Sequence, residues 1–238
     1  MDLTTFLVGL TVFLAVFTQC LSGFGVALVA MALLPSMIGI HVATPLVAVI
    51  ALVLEIILVY RYRQSLEVHA IWRIVLAALL GTPLGVYLLS NVNENISLTV
   101  LGIVITSYAV YALLGLKMPR LDGSAWAYLA GWFGGLLGGA YNTSGPPVIL
   151  YADGRRWPPD VFKSNLQGYF LISSVAVVAS HILNGNLTPQ VWNIFWWTIP
   201  FILVGLVAGL GLGRWLNPVI FRRLVLVLLI VMGIRLII

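Results

Sequence analysis

The chain alternates long apolar stretches with short clusters of Pro, Gly, Asn and charged residues. Six of the stretches, near residues 42-60, 70-90, 96-116, 160-183, 189-213 and 218-238, reach or approach the ~20 residues that a helix rising ~1.5 Å per residue needs to cross a ~30 Å hydrocarbon layer. Each predicts one membrane-length helix. Two further regions, 4-38 and 125-152, are pairs of shorter apolar pieces interrupted by polar residues and glycine. In the first, residues 4-19 run into Gln19-Cys20-Leu21-Ser22-Gly23-Phe24-Gly25, and an apolar piece continues to Pro35. In the second, the glycine-rich run Gly131 to Gly139 reaches Tyr141-Asn142-Thr143-Ser144-Gly145-Pro146-Pro147, and a very short piece follows to Tyr151.

Charge placement orients these segments, because loops rich in Lys and Arg stay in the cytoplasm. Arg61, Arg63 and Arg73 flank one loop, and Lys117 and Arg120 a second. Arg155, Arg156 and Lys163 mark a third, and Arg214, Arg222 and Arg223 a fourth. Only Arg235 falls on the other face, while the loops at Asn91 to Asn95 and Asn184 to Thr188 carry no basic residue. Loops 117-123 and 153-163 therefore share one side, so the segment between them must enter the membrane and return. The same reasoning makes 4-38 a hairpin and leaves both termini outside. Each hairpin, re-entrant or built of two short helices, is expected to place its irregular tip at membrane depth.

The two parts of the chain repeat each other. A shift of 122 residues superposes Ser22-Gly23 on Ser144-Gly145, Val26 on Val148 and Leu28 on Leu150. A shift of 120 superposes Trp72 on Trp192, and one of 124 superposes Gly81, Gly85 and Asn93 on Gly205, Gly209 and Asn217. The expected fold is an all-α polytopic membrane protein of two inverted-topology repeats, 1-120 and 121-238, each a broken hairpin plus three transmembrane helices. Inverted repeats are the arrangement of many secondary transporters.

Composition agrees: 61% of the 238 residues are hydrophobic and 8% charged, against the roughly 25% charge of a soluble domain. The net charge of +5 sits in short loops and orients the chain, so no nucleic-acid partner is expected. Asp2, where a secretory leader would carry basic residues, argues against a signal peptide. The single Cys20 gives no disulfide framework and has no metal-binding companion. No cofactor or metal is expected.

Backbone that is not helical at membrane depth costs several kcal/mol per unpaired group unless protein or a wet cavity satisfies it. Two such breaks at corresponding positions point to a binding site. Ser22, Gly23 and Gly25 precede a new apolar helix, as do Asn142, Thr143, Ser144 and Gly145; amides and the positive helix end favour an anion there. No Lys or Arg is needed at the centre of the tips, and none is found there. Thr44, Asn165 and Gln167 are further polar groups near helix starts, and Thr44 aligns with Ser164 at a shift of 120. They can line the same cavity or bond between helices. The run Gly131 to Gly139 reads as close helix packing. Glu55 and His181 are the ionisable residues inside spans and are candidates to couple a proton, or side chains that reach the interface from near a helix end. Trp72, Trp157, Trp192, Trp196 and Trp197 read as interface anchors.

With tips reading Leu21-Ser22-Gly23-Phe24-Gly25 and Gly138-Gly139-Ala140-Tyr141-Asn142-Thr143-Ser144-Gly145-Pro146-Pro147, the chain resembles the sulfite exporter TauE/SafE family over essentially its whole length. The resemblance implies a multi-pass permease of a bacterial or archaeal inner membrane for sulfite, organosulfonates or related small anions, with the tips as ligand contacts. Members of that family often show Gly-Gly-Pro at the second tip, where this chain has Ser144-Gly145-Pro146-Pro147.

The expected function is secondary transport of a small anion by alternating access. The partners are the anion, the lipid bilayer and a coupling proton or sodium ion, and a homo-oligomer is compatible with the sequence. The alternatives are an anion channel of the same architecture and a non-transporting assembly or sensor protein. No enzyme is expected: the chain contains no Walker A, His-Glu-x-x-His or Gly-x-Ser-x-Gly sequence.

Overall fold

The computed structural model describes residues 3–116, 118–212 and 217–238. Asp2, Lys117 and Arg214, used above, lie outside the described residues. Those described form eleven α-helices and no strand. The first interrupted region gives α1 (Leu3–Ser22), α2 (Val26–Leu33) and α3 (Pro35–Ile38), followed by the long helices α4 (Ile40–Tyr62), α5 (Val68–Asn91) and α6 (Glu94–Leu114). The second gives α7 (Ser124–Tyr141) and α8 (Gly145–Gly154), followed by α9 (Pro159–Leu183), α10 (Pro189–Leu212) and α11 (Pro218–Ile237). Six helices among the described residues, α1, α4, α5, α6, α9 and α10, are long and apolar enough to cross a membrane; α11, over the expected span 218-238, forms as a helix but with Arg222, Arg223 and Arg235 is not one of them. The chain is a multi-pass membrane protein. Leu80 and Val207, 76% and 71% exposed, thus face an apolar solvent, where such surface carries no hydrophobic penalty.

Helix ends follow local chemistry. Asn93 caps α6 by accepting from the Asn95 amide at 2.9 Å, and Gly115, in left-handed backbone, ends it. The Glu94 carboxylate accepts from the Ile40 amide at 3.1 Å and so caps α4. One expectation needs correction: α1 is not a short piece but a 20-residue helix, long and apolar enough to cross a membrane by itself. It continues through Gln19 because that side chain finds a partner beyond the break, described below.

The helices cluster into two compact units. One comprises Met1–Ile50, Val92–Gly115 and Asn186–Ile238; the other comprises Ala51–Asn91 and Leu116–Gly185. Within the first, α1 packs on α10 and α2, and α6 on α11. A Cβ at Gly9 would strike the Phe201 ring, one at Gly205 the Phe13 carbonyl, and one at Gly209 the Cys20 side chain. The paired numbers rise together, so α1 and α10 run parallel. Thr106 and Gly102 meet Gly233, and Gly102 also meets Ile237, so α6 and α11 run antiparallel.

Within the second unit α5 packs most extensively on α7 and also on α9. A methyl at Gly131, Gly135 or Gly139 would overlap the carbonyls of Ile74, Ala78 or Thr82, and one at Gly81 or Gly85 those of Trp132 or Leu136. This parallel pair thus meets backbone to backbone, as small residues permit in membranes. The feet of the α7–α8 hairpin also meet. The Leu121 amide donates to the Gly154 carbonyl at 3.2 Å, and the guanidinium of Arg156 reaches the Met118 carbonyl at 2.8 Å. Arg155 donates to the Leu121 and Asp122 carbonyls at 3.3 and 3.2 Å and pairs with the Asp122 carboxylate at 3.7 Å.

Candidate functional site

The second tip starts where Asn142, in left-handed backbone at φ 55°, stops α7. Asparagine tolerates that conformation better than other side chains do. Its amide donates to the Gly138 carbonyl at 2.8 Å, and that of Thr143 to Leu137 at 3.2 Å. The chain then reverses through Thr143 and Ser144, both buried, into α8, where Pro146 occupies the first turn. Gly145 is not crowded: a Cβ there would lie 3.5 Å from the Ile149 side chain. The Thr143 hydroxyl is buried with no hydrogen-bond partner.

Two α9 residues that the sequence reading did not select complete this tip. The Tyr169 hydroxyl adjoins the side chains of Ser144 and Ser173, and neither it nor the Ser173 hydroxyl has a hydrogen bond of ordinary geometry. Room for them comes from Gly134 and Gly138. A Cβ at Gly134 would stand 2.6 Å from the Tyr169 hydroxyl, and one at Gly138 3.7 Å from that of Ser173 and 3.1 Å from the Ser144 Cβ. Helix α7 therefore has two glycine faces. Gly131, Gly135 and Gly139 serve packing, as expected for the run, while Gly134 and Gly138 border the tip.

In the first tip Gly23 and Gly25 adopt φ 83° and 115°, which a side chain would strain, and Gly25 precedes α2. The Ser22 hydroxyl is used inside the turn. It lies 2.8 Å from the Thr18 carbonyl and bonds the Phe24 carbonyl. The first amide of α2 is engaged as well: Val26 donates to Gln19 Oε1 at 3.0 Å. Gln19 was thus missed as the cap of this break. Beside the tip lies a narrow cleft lined by Thr18, Ser22, Phe24, Gly25, Tyr108 and Arg222 among others. Its cavity volume is about 20 Å³, room for about one water molecule. The Arg222 guanidinium stands 6.0 Å from the centre of the Phe24 ring. The tip itself contains no Lys or Arg, and α11 carries Arg222 beside the break, a neighbour that the sequence reading did not place there.

The remaining candidates divide. Thr44 is fully buried and its hydroxyl donates to the Ile40 carbonyl of its own helix at 2.9 Å. Asn165 is fully buried; its Oδ1 accepts from the Glu67 amide at 2.8 Å, while its Nδ2 has no partner. Gln167, two residues on, is equally buried. Ser164 donates to the Tyr62 carbonyl at 2.5 Å. Glu55 and His181 are 2% and 0% exposed, so neither side chain reaches out to an interface. Tyr169 and Ser173 left one legible trace: they follow Asn165 at intervals of four, one face of a helix.

The model of the sulfite exporter TauE/SafE family matches residues 8–236. The chain is also similar to the probable sulfite/organosulfonate exporter TauE of Cupriavidus necator, with 25% identity over 224 residues, 90% of this chain and 86% of that protein. No solved structure matches. The match runs from the second turn of α1 to the penultimate residue of α11 and takes in both broken hairpins, and the chain belongs to the sulfite exporter TauE/SafE family.

Proposed function

We propose that this protein is a secondary transporter of small anions, sulfite or an organosulfonate, that works by alternating access with the anion engaging the hairpin tips. The observation that carries the reading is the second tip: a buried reversal where the hydroxyls of Thr143, Tyr169 and Ser173, beside Ser144, have no hydrogen bond of ordinary geometry. Unsatisfied buried donors cost about 1–3 kcal/mol each, and an oxyanion accepts from such groups. Family membership and the name of the C. necator relative support the substrate class. At the first tip Ser22, Gly23 and Gly25 are the anion contacts, and Arg222 supplies a positive charge beside Phe24.

The parallel pairs support an inverted repeat. Each hairpin's first helix, α1 or α7, packs on the second long helix of the other half of the sequence, α10 or α5. An exchange of this kind is what a duplication with opposite orientations generates when equivalent partners are shared. Coupling to a proton or sodium gradient supplies the energy, with Glu55 and His181 as the proton-binding candidates.

Uptake of sulfite and sulfoacetate into proteoliposomes, with and without a pH or sodium gradient, tests this reading. The expected result is saturable, gradient-dependent flux that Ser144→Leu abolishes in a folded protein. Flux of neither anion, or wild-type flux in both Ser22→Leu and Ser144→Leu, overturns it. Conductance with no coupling to a gradient identifies a channel instead.

A further inference from the structure

Helix α9 carries buried polar residues at positions 165, 169 and 173, a spacing that places them on one ridge with about 6 Å of rise per step. Asn165 and Tyr169 are 0% exposed and Ser173 4%. The Asn165 Nδ2 has no hydrogen-bond partner, and the Tyr169 and Ser173 hydroxyls adjoin each other with no hydrogen bond of ordinary geometry. The amide cannot be reversed to remove its orphan, because Oδ1 is held by the Glu67 amide. Opposite the upper two stand Gly134 and Gly138, which contribute no side chain. Phe at 169 and Ala at 173 would fill nearly the same space with no polar atom to satisfy.

Resting on the anion-transport reading, we infer that Asn165, Tyr169 and Ser173 are successive neutral donors along which the anion passes through the second unit, from the cytoplasmic end of α9 to the hairpin tip. The first donor is an amide fixed by its backbone contact. The second and third are hydroxyls that lie against the bare backbone of α7 at Gly134 and Gly138, where no side chain competes with the anion for them. None of the three carries a charge. Hydrogen bonds from neutral groups are weaker than those from cations, so the anion is held at each step without being trapped, as transport requires.

Two measurements on the full chain test this. In proteoliposomes, Tyr169→Phe and Ser173→Ala keep the shape and remove one donor each. The expected result is a KM raised about 10- to 100-fold, the effect of one hydrogen bond to a charged group, with an unchanged or higher melting temperature. In a Cys20→Ala background, single cysteines at 165, 169 and 173 are treated with a membrane-impermeant anionic methanethiosulfonate. Cysteines at the lipid-facing positions 172 and 175, where Ile and Val are 41% and 51% exposed, serve as controls. The ridge positions are expected to react faster than the controls and to be protected by methanesulfonate.

Wild-type KM in both donor-removal variants, or ridge cysteines no more reactive than the controls, overturns the inference while leaving an anion-transporting wild type intact. Protected labelling of the ridge in a protein that transports neither sulfite nor a sulfonate supports the row of donors and refutes the transport reading.

Discussion

The two glycine faces of α7 predict opposite phenotypes for substitutions three residues apart. In Gly135→Ala the new methyl carbon would stand 2.7 Å from the Ala78 Cα and carbonyl carbon, whereas carbon atoms settle at about 3.5–4.0 Å. Helices α5 and α7 must therefore part by about 1 Å, and backbone cannot swing aside as a side chain can. Overpacking of this kind costs about 1–3 kcal/mol, and the better helix propensity of Ala returns up to about 1 kcal/mol. The net loss is about 1 kcal/mol, a fall in Tm of about 2–4 °C for a chain of this size. The triple variant Gly131→Ala, Gly135→Ala, Gly139→Ala is expected to lose about three times as much. Gly138→Ala instead meets the Ser144 and Ser173 side chains at 3.1 and 3.7 Å, which can shift by tenths of an ångström. It should melt close to wild type yet transport poorly, because its methyl occupies the space beside the tip hydroxyls. Thermal unfolding followed by tryptophan fluorescence in detergent, beside flux in proteoliposomes, reads both quantities. A Gly135→Ala protein as stable as wild type, or a Gly138→Ala protein with full flux, refutes the division of faces.

Gln19→Ala removes the acceptor of the Val26 amide and should cost about 1 kcal/mol; a melting temperature equal to that of the wild type would contradict the capping role. Arg155→Ala loosens the 118–122 strap at the end of α8, so trypsin added to the detergent-solubilised protein should cut after Arg120 faster than in the wild type, and an unchanged cleavage rate would show that Arg155 does not hold the strap.

The long helices were legible because nothing competes with an unbroken apolar run in lipid. The expected 70-90 became α5 at Val68–Asn91, and 160-183 became α9 at Pro159–Leu183. The breaks were legible too, since Gly23, Gly25 and Asn142 are the residue types that accept left-handed backbone. What escaped was everything that depends on a partner distant in sequence. Gln19 looked like part of a polar interruption, yet it extends α1 by reaching seven residues ahead to Val26. Arg222 read as a loop charge, and only the packing of α11 against α2 brings it beside Phe24. Tyr169 is ambiguous in any apolar helix, because an aromatic ring suits lipid, core and site alike. Its role emerges from Gly134, 35 residues earlier, whose missing side chain accommodates the hydroxyl.

The backbone seam between α5 and α7 has a consequence for motion. Side chains at an ordinary helix interface can exchange rotamers and let one helix slide past its neighbour by small steps. A joint made of glycines against carbonyls has no rotamers to exchange and loses no side-chain entropy when it closes. Sliding would drive each Cα over the adjacent carbonyl, so the hairpin travels with α5 as one rigid body, and the hinges of any transport cycle must lie elsewhere.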